Sequence, residues 1–197
     1  ATIYPGATEI ADDGIDQDCD GFDLQTWYVD TDRDTFGDAA SSTTSNTQPE
    51  NYVSDNTDCN DSEASIYPGA TEISDDGIDQ DCDGFDLQTW YADTDGDTFG
   101  DATNTTTSNT QPANYVRDNT DCNDTIEIGA TIYPGAPEIA NDGIDQDCNN
   151  LDLIIWYKDA DGDGFGNPDK SKSITSQTKP DNTYVKNNTD CDDTIKN

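Results

Sequence analysis

A chain of 197 residues with 44 acidic and 8 basic side chains carries a formal charge of -36, which repels nucleic acid and anionic membrane surfaces and attracts multivalent cations. Apolar residues make up 30%, too few for one large core, and the longest apolar run, Leu153 to Tyr157, is far too short to span a bilayer. With no His and no Met, copper and iron lose most of their usual ligands, so six Cys in so polar a chain point to disulfides and an oxidising, extracellular or cell-surface setting.

A signal peptide is not visible in the segment that starts at Ala1; one is expected to have been removed or to lie outside it. The composition ordinarily means disorder, because little apolar burial is available to offset chain entropy. Three features oppose that here. Trp and Tyr fall at recurring places, so do the six Cys, and Asp alternates with other residues rather than running in blocks. These point to several small modules, each held by something besides hydrophobic burial.

The segment Ile3–Trp27 returns as Ile66–Trp90, 63 residues on, and as Ile132–Trp156 after a further 66. Each copy continues through Trp-Tyr (Trp27, Trp90, Trp156), an Asp-rich loop, a Ser/Thr stretch, Tyr-Val (Tyr52, Tyr115, Tyr184) and a Cys (Cys59, Cys122, Cys191). The expected organisation is repeat 1 over 1–57, lacking its front part, repeat 2 over 58–120 and repeat 3 over 121–189. Residues 190–197 read as the start of a next repeat or a joint between subunits.

Regular structure is sparse along each repeat. Leu24–Val29 and Asn51–Val53, with their copies, are short β-prone runs bounded by turn residues and are expected to pair as a ribbon. Ser62–Ser65 follows an Asp/Asn cap and stops at Tyr-Pro-Gly, which predicts one helical turn. The fold class is a tandem array of small calcium- and disulfide-stabilised modules, mostly loop with short two-stranded β ribbons and little helix. Ribbons this small are marginal in water without cross-links.

Three kinds of acidic loop recur as candidate metal ligands. The first follows Trp-Tyr: Asp30, Asp32, Asp34, the carbonyl of Phe36, and Asp38; then Asp93, Asp95, Asp97, Phe99 and Asp101; then Asp159, Asp161, Asp163, Phe165 and Asn167. The second surrounds the earlier Cys: Asp16, Asp18 and Asp20; Asp79, Asp81 and Asp83; Asp145, Asp147 and Asn149. The third surrounds the later Cys: Asp58, Asn60 and Asp61; Asp121, Asn123 and Asp124; Asp190, Asp192 and Asp193.

Alternating carboxylates suit calcium, which takes about 6–8 hard oxygen ligands at roughly 2.3–2.6 Å. A loop curling round an ion turns its residues 1, 3 and 5 inward, and the carbonyl of residue 7 follows. Unneutralised, two carboxylates about 4 Å apart repel by up to ~4 kcal/mol at an effective dielectric near 20. One such loop ordinarily means a solvated acidic surface. Nine in register, with Gly and aromatic landmarks, mean metal, at roughly two to three calcium ions per repeat; magnesium, which demands octahedral geometry and keeps its waters, is the weaker alternative.

The sixth place of such a loop asks for Gly, because its φ is positive. Gly21, Gly84 and Gly164 satisfy this, whereas Thr35, Thr98 and Asn150 do not. A β-branched residue is strained at positive φ, so the first two Trp-Tyr loops are expected to turn differently. Glu9, Glu72 and Glu138, each just after a Pro-Gly turn, are candidates to complete a site from elsewhere in the repeat. Arg33 is expected to face solvent.

The run Asp58-Cys59-Asn60-Asp61, then Tyr67-Pro68-Gly69-Ala70-x-Glu72-Ile73, then Asp76-Gly77-Ile78-Asp79-x-Asp81-Cys82-Asp83-Gly84 and Trp90-Tyr91-x-Asp93-x-Asp95-Gly96-Asp97, resembles the MopE-type metal-binding repeat of secreted bacterial proteins. Its acidic loops are similar to those of thrombospondin type 3 repeats. The resemblance covers essentially the whole chain and implies calcium-dependent folding outside the cell. The copper in the family's name does not transfer, because His and Met are absent.

Repeats of that family often carry two further Cys; here other residues stand there, among them Ala11, Ser74 and Ala140. The resemblance then implies that the missing two paired with each other and that the rest pair as Cys59–Cys82 and Cys122–Cys148. Each bond closes a loop of about 25 residues and contributes on the order of 3 kcal/mol. The self-contained pairing Cys19–Cys59, Cys82–Cys122 and Cys148–Cys191 stays open.

The closing DCDDTIKN followed by the opening ATIYPGA reads much like the internal Asp121–Ala136, DCNDTIEIGATIYPGA. The two ends are expected to be halves of one joint, either interrupted in a longer array or restored when copies associate head to tail, with Cys191 bonded to Cys19 of the next unit. A heterologous contact of this kind that does not close makes a filament.

Ser41–Thr47, Thr103–Thr110 and Ser171–Thr178 read as polar loops between the strands, with O-linked glycans as the alternative. N-linked sequons stand at Asn60, Asn104, Asn123 and Asn187, of which only Asn104 lies in such a loop. Trp27, Trp90, Trp156, Tyr4, Tyr67 and Tyr133 are expected to pack inside their modules. The function expected is structural and non-enzymatic: a calcium-rigidified fibre, stalk or surface array, with a calcium-dependent adhesin or lectin as the alternative. Carboxylate pairs abound, yet no repeat carries a unique catalytic constellation.

Overall fold

The computed structural model describes residues 2–195. Nine short strands make three antiparallel sheets, one in each repeat: β1 Gln25–Val29, β2 Ser42–Ser45 and β3 Tyr52–Val53; β4 Gln88–Ala92, β5 Asp101–Ser108 and β6 Tyr115–Val116; β7 Ile154–Lys158, β8 Ser173–Ser176 and β9 Tyr184–Val185. The Trp-Tyr strand is central every time, in the orders β2-β1-β3, β5-β4-β6 and β8-β7-β9. Among the described residues no helix is long and apolar enough to cross a membrane.

The two expected strands do pair, Tyr28 with Val53 and Val29 with Tyr52. A third joins them on the other side, where Thr26 faces Thr44 and Trp27 faces Thr43. The Ser/Thr stretches are therefore strands rather than loops. Threonine's branched Cβ fits a pleated surface well, and the Trp edge anchors the pairing: Nε1 of Trp27 donates to Ser45 O at 3.0 Å, and that of Trp156 to Ser176 O at 2.9 Å. Arg117 lies over the Trp90 ring and Lys186 over Trp156, each 5.4 Å from the centroid.

Ser62–Ser65 forms turns instead of the expected helical turn: the amides of Ser62 and Glu63 return to Asn60 O and that of Ile66 to Glu63 O, which closes separate turns rather than a continuous ladder. Helix is confined to two three-residue 3-10 turns among the described residues, Gly129–Thr131 and Lys170–Lys172, both in repeat 3.

The chain forms two compact units: the described residues up to Thr89 with Thr107–Thr110, and Trp90–Thr106 with the described residues from Gln111 onward. Each unit contains one disulfide, Cys59–Cys82 in the first and Cys122–Cys148 in the second. This is the pairing the family resemblance implies, and it excludes the self-contained alternative. Cys19 and Cys191 are free and exposed.

Apolar burial is slight, as the composition requires. Among the described residues, Ile66, Ala92, Ile132, Ala136, Trp156 and Tyr157 are the apolar side chains fully buried. Glutamine supplies what they cannot. Gln17 is completely buried: its Oε1 accepts from Ile10 N at 3.1 Å, its Nε2 donates to Asp13 at 2.8 Å, and its carbonyl accepts from Tyr4 N at 2.9 Å. Gln80 and Gln146 repeat the arrangement with Asp76 and Asp142. A buried amide with its donor and acceptor both satisfied ties three strands of loop together at little desolvation cost.

Tyr67 and Tyr133 stack on Phe36 and Phe99, with ring centroids 5.5 Å apart in both cases and planes within 10° and 7° of parallel. Tyr4 departs from the expected packing and is 54% exposed. Gly100 marks a close backbone approach: a Cβ there would sit 2.8 Å from both Asp118 O and Tyr91 Cβ. Gly100→Ala is expected to destabilise the sheet by about 1–3 kcal/mol, the usual cost of overpacking, read as a lower melting temperature with the sequence otherwise intact.

Candidate metal centre

Each Trp-Tyr loop meets the acidic turn around the later cysteine, which follows its Tyr-Val strand. In the first, Oδ1 of Asp30 accepts from Arg33 N at 2.7 Å, that of Asp32 from Asp34 N at 3.2 Å, that of Asp34 from Phe36 N at 2.8 Å, and that of Asp58 from Asn60 N at 2.8 Å. Most of these are Asx turns, in which an aspartate caps the amide two residues on. The backbone thus occupies one oxygen of each carboxylate and directs the other inward.

Those inward oxygens have no partner. Oδ2 of Asp32, Asp34 and Asp58 is buried without a hydrogen bond, and so are the matching atoms of Asp95, Asp97 and Asp121, and of Asp161 and Asp190. Asp190 is only 3% exposed. Carboxylate oxygens of Asp30, Asp32 and Asp34 lie within 4.8 Å of one another, as do those of Asp32, Asp58 and Asp61. Asp61 grips the loop from outside, taking Thr31 N and Oγ1, each at 2.7 Å. Asp124 does the same at Thr94, and Asp193 takes the amide of Ala160 alone.

Burial pushes the carboxyls of Asp34, Asp58, Asp95, Asp97 and Asp121 above the ordinary range, and facing carboxylates push them the same way against the backbone amides. A buried, unpartnered anion beside other anions is costly. A cation at the centre removes that cost.

The loops turn alike despite their sixth residues. Thr35 and Thr98 take φ of 86° and 82°, close to the 94° of Gly164, and Asn150 takes 71° beside 99° and 96° at Gly21 and Gly84. The expectation of a different turn is thereby corrected: the clamped carboxylates impose the positive φ even on a β-branched residue. Arg33, at 70°, faces solvent and reaches Asn51.

A second cluster surrounds the earlier cysteine. Asp16 accepts from Asp20 N and Gly21 N, Asp18 from Asp20 N, and Asp20 from Phe22 N. The pattern returns at Asp79, Asp81 and Asp83, and at Asp145, Asp147 and Asn149. Oxygens of Glu9, Asp16 and Asp18 lie within 4.8 Å of one another, and Glu9 Oε2 is buried without a partner. Glu72 and Glu138 spend both oxygens on backbone amides, Glu72 on Asp81 and Leu87, Glu138 on Asp147 and Leu153, and so brace the loop.

Some candidates turn elsewhere. Asp38 caps the turn before β2 through Ala40 N, Asp101 takes Thr103 N within the start of β5, and Asn167 takes Asp169 N. Asn60, Asn123 and Asp192 receive the hydroxyls of Ser62, Thr125 and Thr194. The carbonyls of Phe36, Phe99 and Phe165 belong to the same loops. Sequence reasoning missed Asp23, Asp86 and Asp152: each holds a glycine amide through Oδ2 (Gly14, Gly77, Gly143), while its Oδ1 is buried without a partner. Their recurrence seven residues after Asp16, Asp79 and Asp145 was the available signal.

Three segments, 1–23, 58–86 and 121–152, match the Cu-binding MopE family model, described as "Putative metal-binding motif". Each repeat thus contains one segment that matches this motif. No curated protein and no solved structure matches it. The copper in the family's name does not fit these repeats: the converging donors are carboxylate oxygens, four cysteines are closed in disulfides, and His and Met are absent.

Asp97→Asn removes a negative charge from the centre while keeping the shape. It is expected to raise the melting temperature in chelator and lower it in saturating cation, a swing on the order of 1 kcal/mol each way after solvent screening. A second change, Thr98→Gly, relieves the positive φ and is expected to add about 1 kcal/mol in saturating cation, checked by the same melting curves.

Proposed function

We propose that this metal-binding repeat protein is a non-enzymatic extracellular structural module, in which calcium ions act as permanent cross-links. The observation that carries the reading is the recurrent group of buried, unpartnered Oδ2 atoms at Asp32, Asp34 and Asp58, at Asp95, Asp97 and Asp121, and at Asp161 and Asp190. Hard oxygens on flexible loops are the donor set calcium prefers, whereas magnesium asks for a tighter octahedron with retained waters. Two clusters per repeat hold such oxygens, one on the Asp30 loop and one on the Asp16 loop.

The disulfides support an oxidising setting outside the cell. Extracellular calcium modules bind at about 10⁻⁴–10⁻³ M, so the ions stay bound and carry no signal. Repetition of one module suits a fibre, stalk or surface array joined head to tail. Surface glycans belong to the same reading at Asn104, which is exposed on β5.

Calorimetric titration of the chelator-stripped chain should show about six calcium ions bound, with a large rise in melting temperature and a gain of β signal in circular dichroism. Melting that is the same in calcium and in chelator would sink the reading.

A further inference from the structure

Both cysteines of each closed disulfide sit inside an acidic turn. Asp58 spans Cys59, its Oδ1 taking Asn60 N at 2.8 Å, and Asp81 spans Cys82, its Oδ1 taking Asp83 N at 3.2 Å. Cys122 is enclosed the same way by Asp121 and Asn123, and Cys148 by Asp147 and Asn149. A carboxylate oxygen of Asp58 lies within 4.8 Å of both sulfurs of its bond, and one of Asp121 within 4.8 Å of both sulfurs of the other.

More than sulfur holds these turns together. Tyr67 stacks on Phe36 of the Asp34 loop and gives its amide to Gln80 O at 2.9 Å, while Gly69 N reaches Asp81 O at 3.2 Å. Tyr133 and Gly135 repeat both bonds at Gln146 and Asp147, with Phe99 as the stacking ring. Each joint therefore braces one acidic centre against another: Asp32, Asp34 and Asp58 against Asp79, Asp81 and Asp83, then Asp95, Asp97 and Asp121 against Asp145 and Asp147.

We propose that each disulfide and the two cation centres beside it form one redox-linked unit, in which the closed bond holds both centres in binding geometry and bound cations hold the bond closed. The inference rests on the reading of these clusters as calcium centres. Opening the bond frees the Asp58 and Asp81 turns to separate, and each centre must then order a looser loop before it can surround an ion. Linkage is reciprocal: a cation that binds the closed form more tightly shifts the thiol–disulfide equilibrium toward closure by the same factor. The freed thiols exert no opposing pull. An ordinary thiol titrates at about 8.5, so it is mostly neutral at pH 7, and calcium takes hard oxygen ligands.

The opening reaction uses a dithiol as reductant. One of its thiolates attacks a cysteine sulfur, forming a mixed disulfide and releasing the other cysteine as a thiolate. Its second thiolate then displaces the first cysteine and closes a cyclic disulfide. The dithiol's two protons end on the two cysteines, so one protein disulfide is reduced and one dithiol is oxidised.

The test equilibrates the full chain in mixtures of reduced and oxidised dithiothreitol at pH 7, in excess calcium and in chelator. Differential alkylation and mass spectrometry then read each bond separately. Calcium should raise the ratio of reduced to oxidised dithiothreitol that opens half of either bond by about a hundredfold, roughly tenfold for each flanking ion. Asp32→Asn with Asp34→Asn should cut the shift at Cys59–Cys82 to about tenfold and leave that at Cys122–Cys148 unchanged. Asp95→Asn with Asp97→Asn should do the reverse. Equal midpoints in calcium and chelator overturn the proposal; so do variants that lower both shifts alike, which is the mark of general stabilisation of the fold. Equilibrium dialysis of the oxidised chain separates the two readings. Absence of bound calcium removes the calcium centres and the linked unit together, whereas bound calcium with unshifted midpoints removes only the linkage.

Discussion

One interaction governs the structure: an aspartate gives one oxygen to a nearby backbone amide and turns the other toward its neighbours. At Asp32, Asp34 and Asp58 the amide is two residues on, so the loop's path and the direction of its free oxygens are fixed by the same bond. The loop needs no apolar interior to hold this curvature. It needs a positive centre, since the inward oxygens are buried beside one another. Sheets, disulfides and stacked rings keep two acidic stretches, far apart in sequence, facing one another.

Each disulfide also ties one cluster to another. Cys59 follows Asp58 of the Trp-Tyr cluster, and Cys82 lies between Asp81 and Asp83 of the second kind of cluster. Gln80 anchors the same turn, buried, accepting from Ile73 N and donating to Asp76. Covalent, polar and electrostatic links thus stand where a larger protein would place leucines. This explains how exposed Ile10, Ile73 and Ile139 coexist with a defined backbone.

Much of this was legible in the sequence because repetition multiplies weak signals. A single Asp-x-Asp-x-Asp says little, but its return beside the same Trp and Cys located both clusters, and the family resemblance implied the cysteine pairing. The Ser/Thr strands were hidden because Thr43 and Thr44 are as common in loops as in sheets; only their alignment beside Trp27 decides. Thr35 and Thr98 misled in the other direction. Local propensity forbids their φ, and the carboxylate clamps override it. The role of Gln17 depends on what folds over it, which spacing along one loop does not reveal, whereas Asp23 was signalled only by its recurrence at a fixed distance from Asp16.

The placement of the sulfur bridges has a mechanical consequence. When the chain is pulled lengthwise, tension arriving at Cys59 passes straight to Cys82 and bypasses the residues between, which cannot be drawn out while the bond is intact. The same shunt operates from Cys122 to Cys148. Slack can be released only from stretches outside these shunts, such as Asp83–Asp121, and there the loop at Asp93–Asp97 must first be torn from Asp121. The resistance of each stretch to pulling is therefore set by its acidic cluster, so dissolved cation concentration would tune stiffness along the chain.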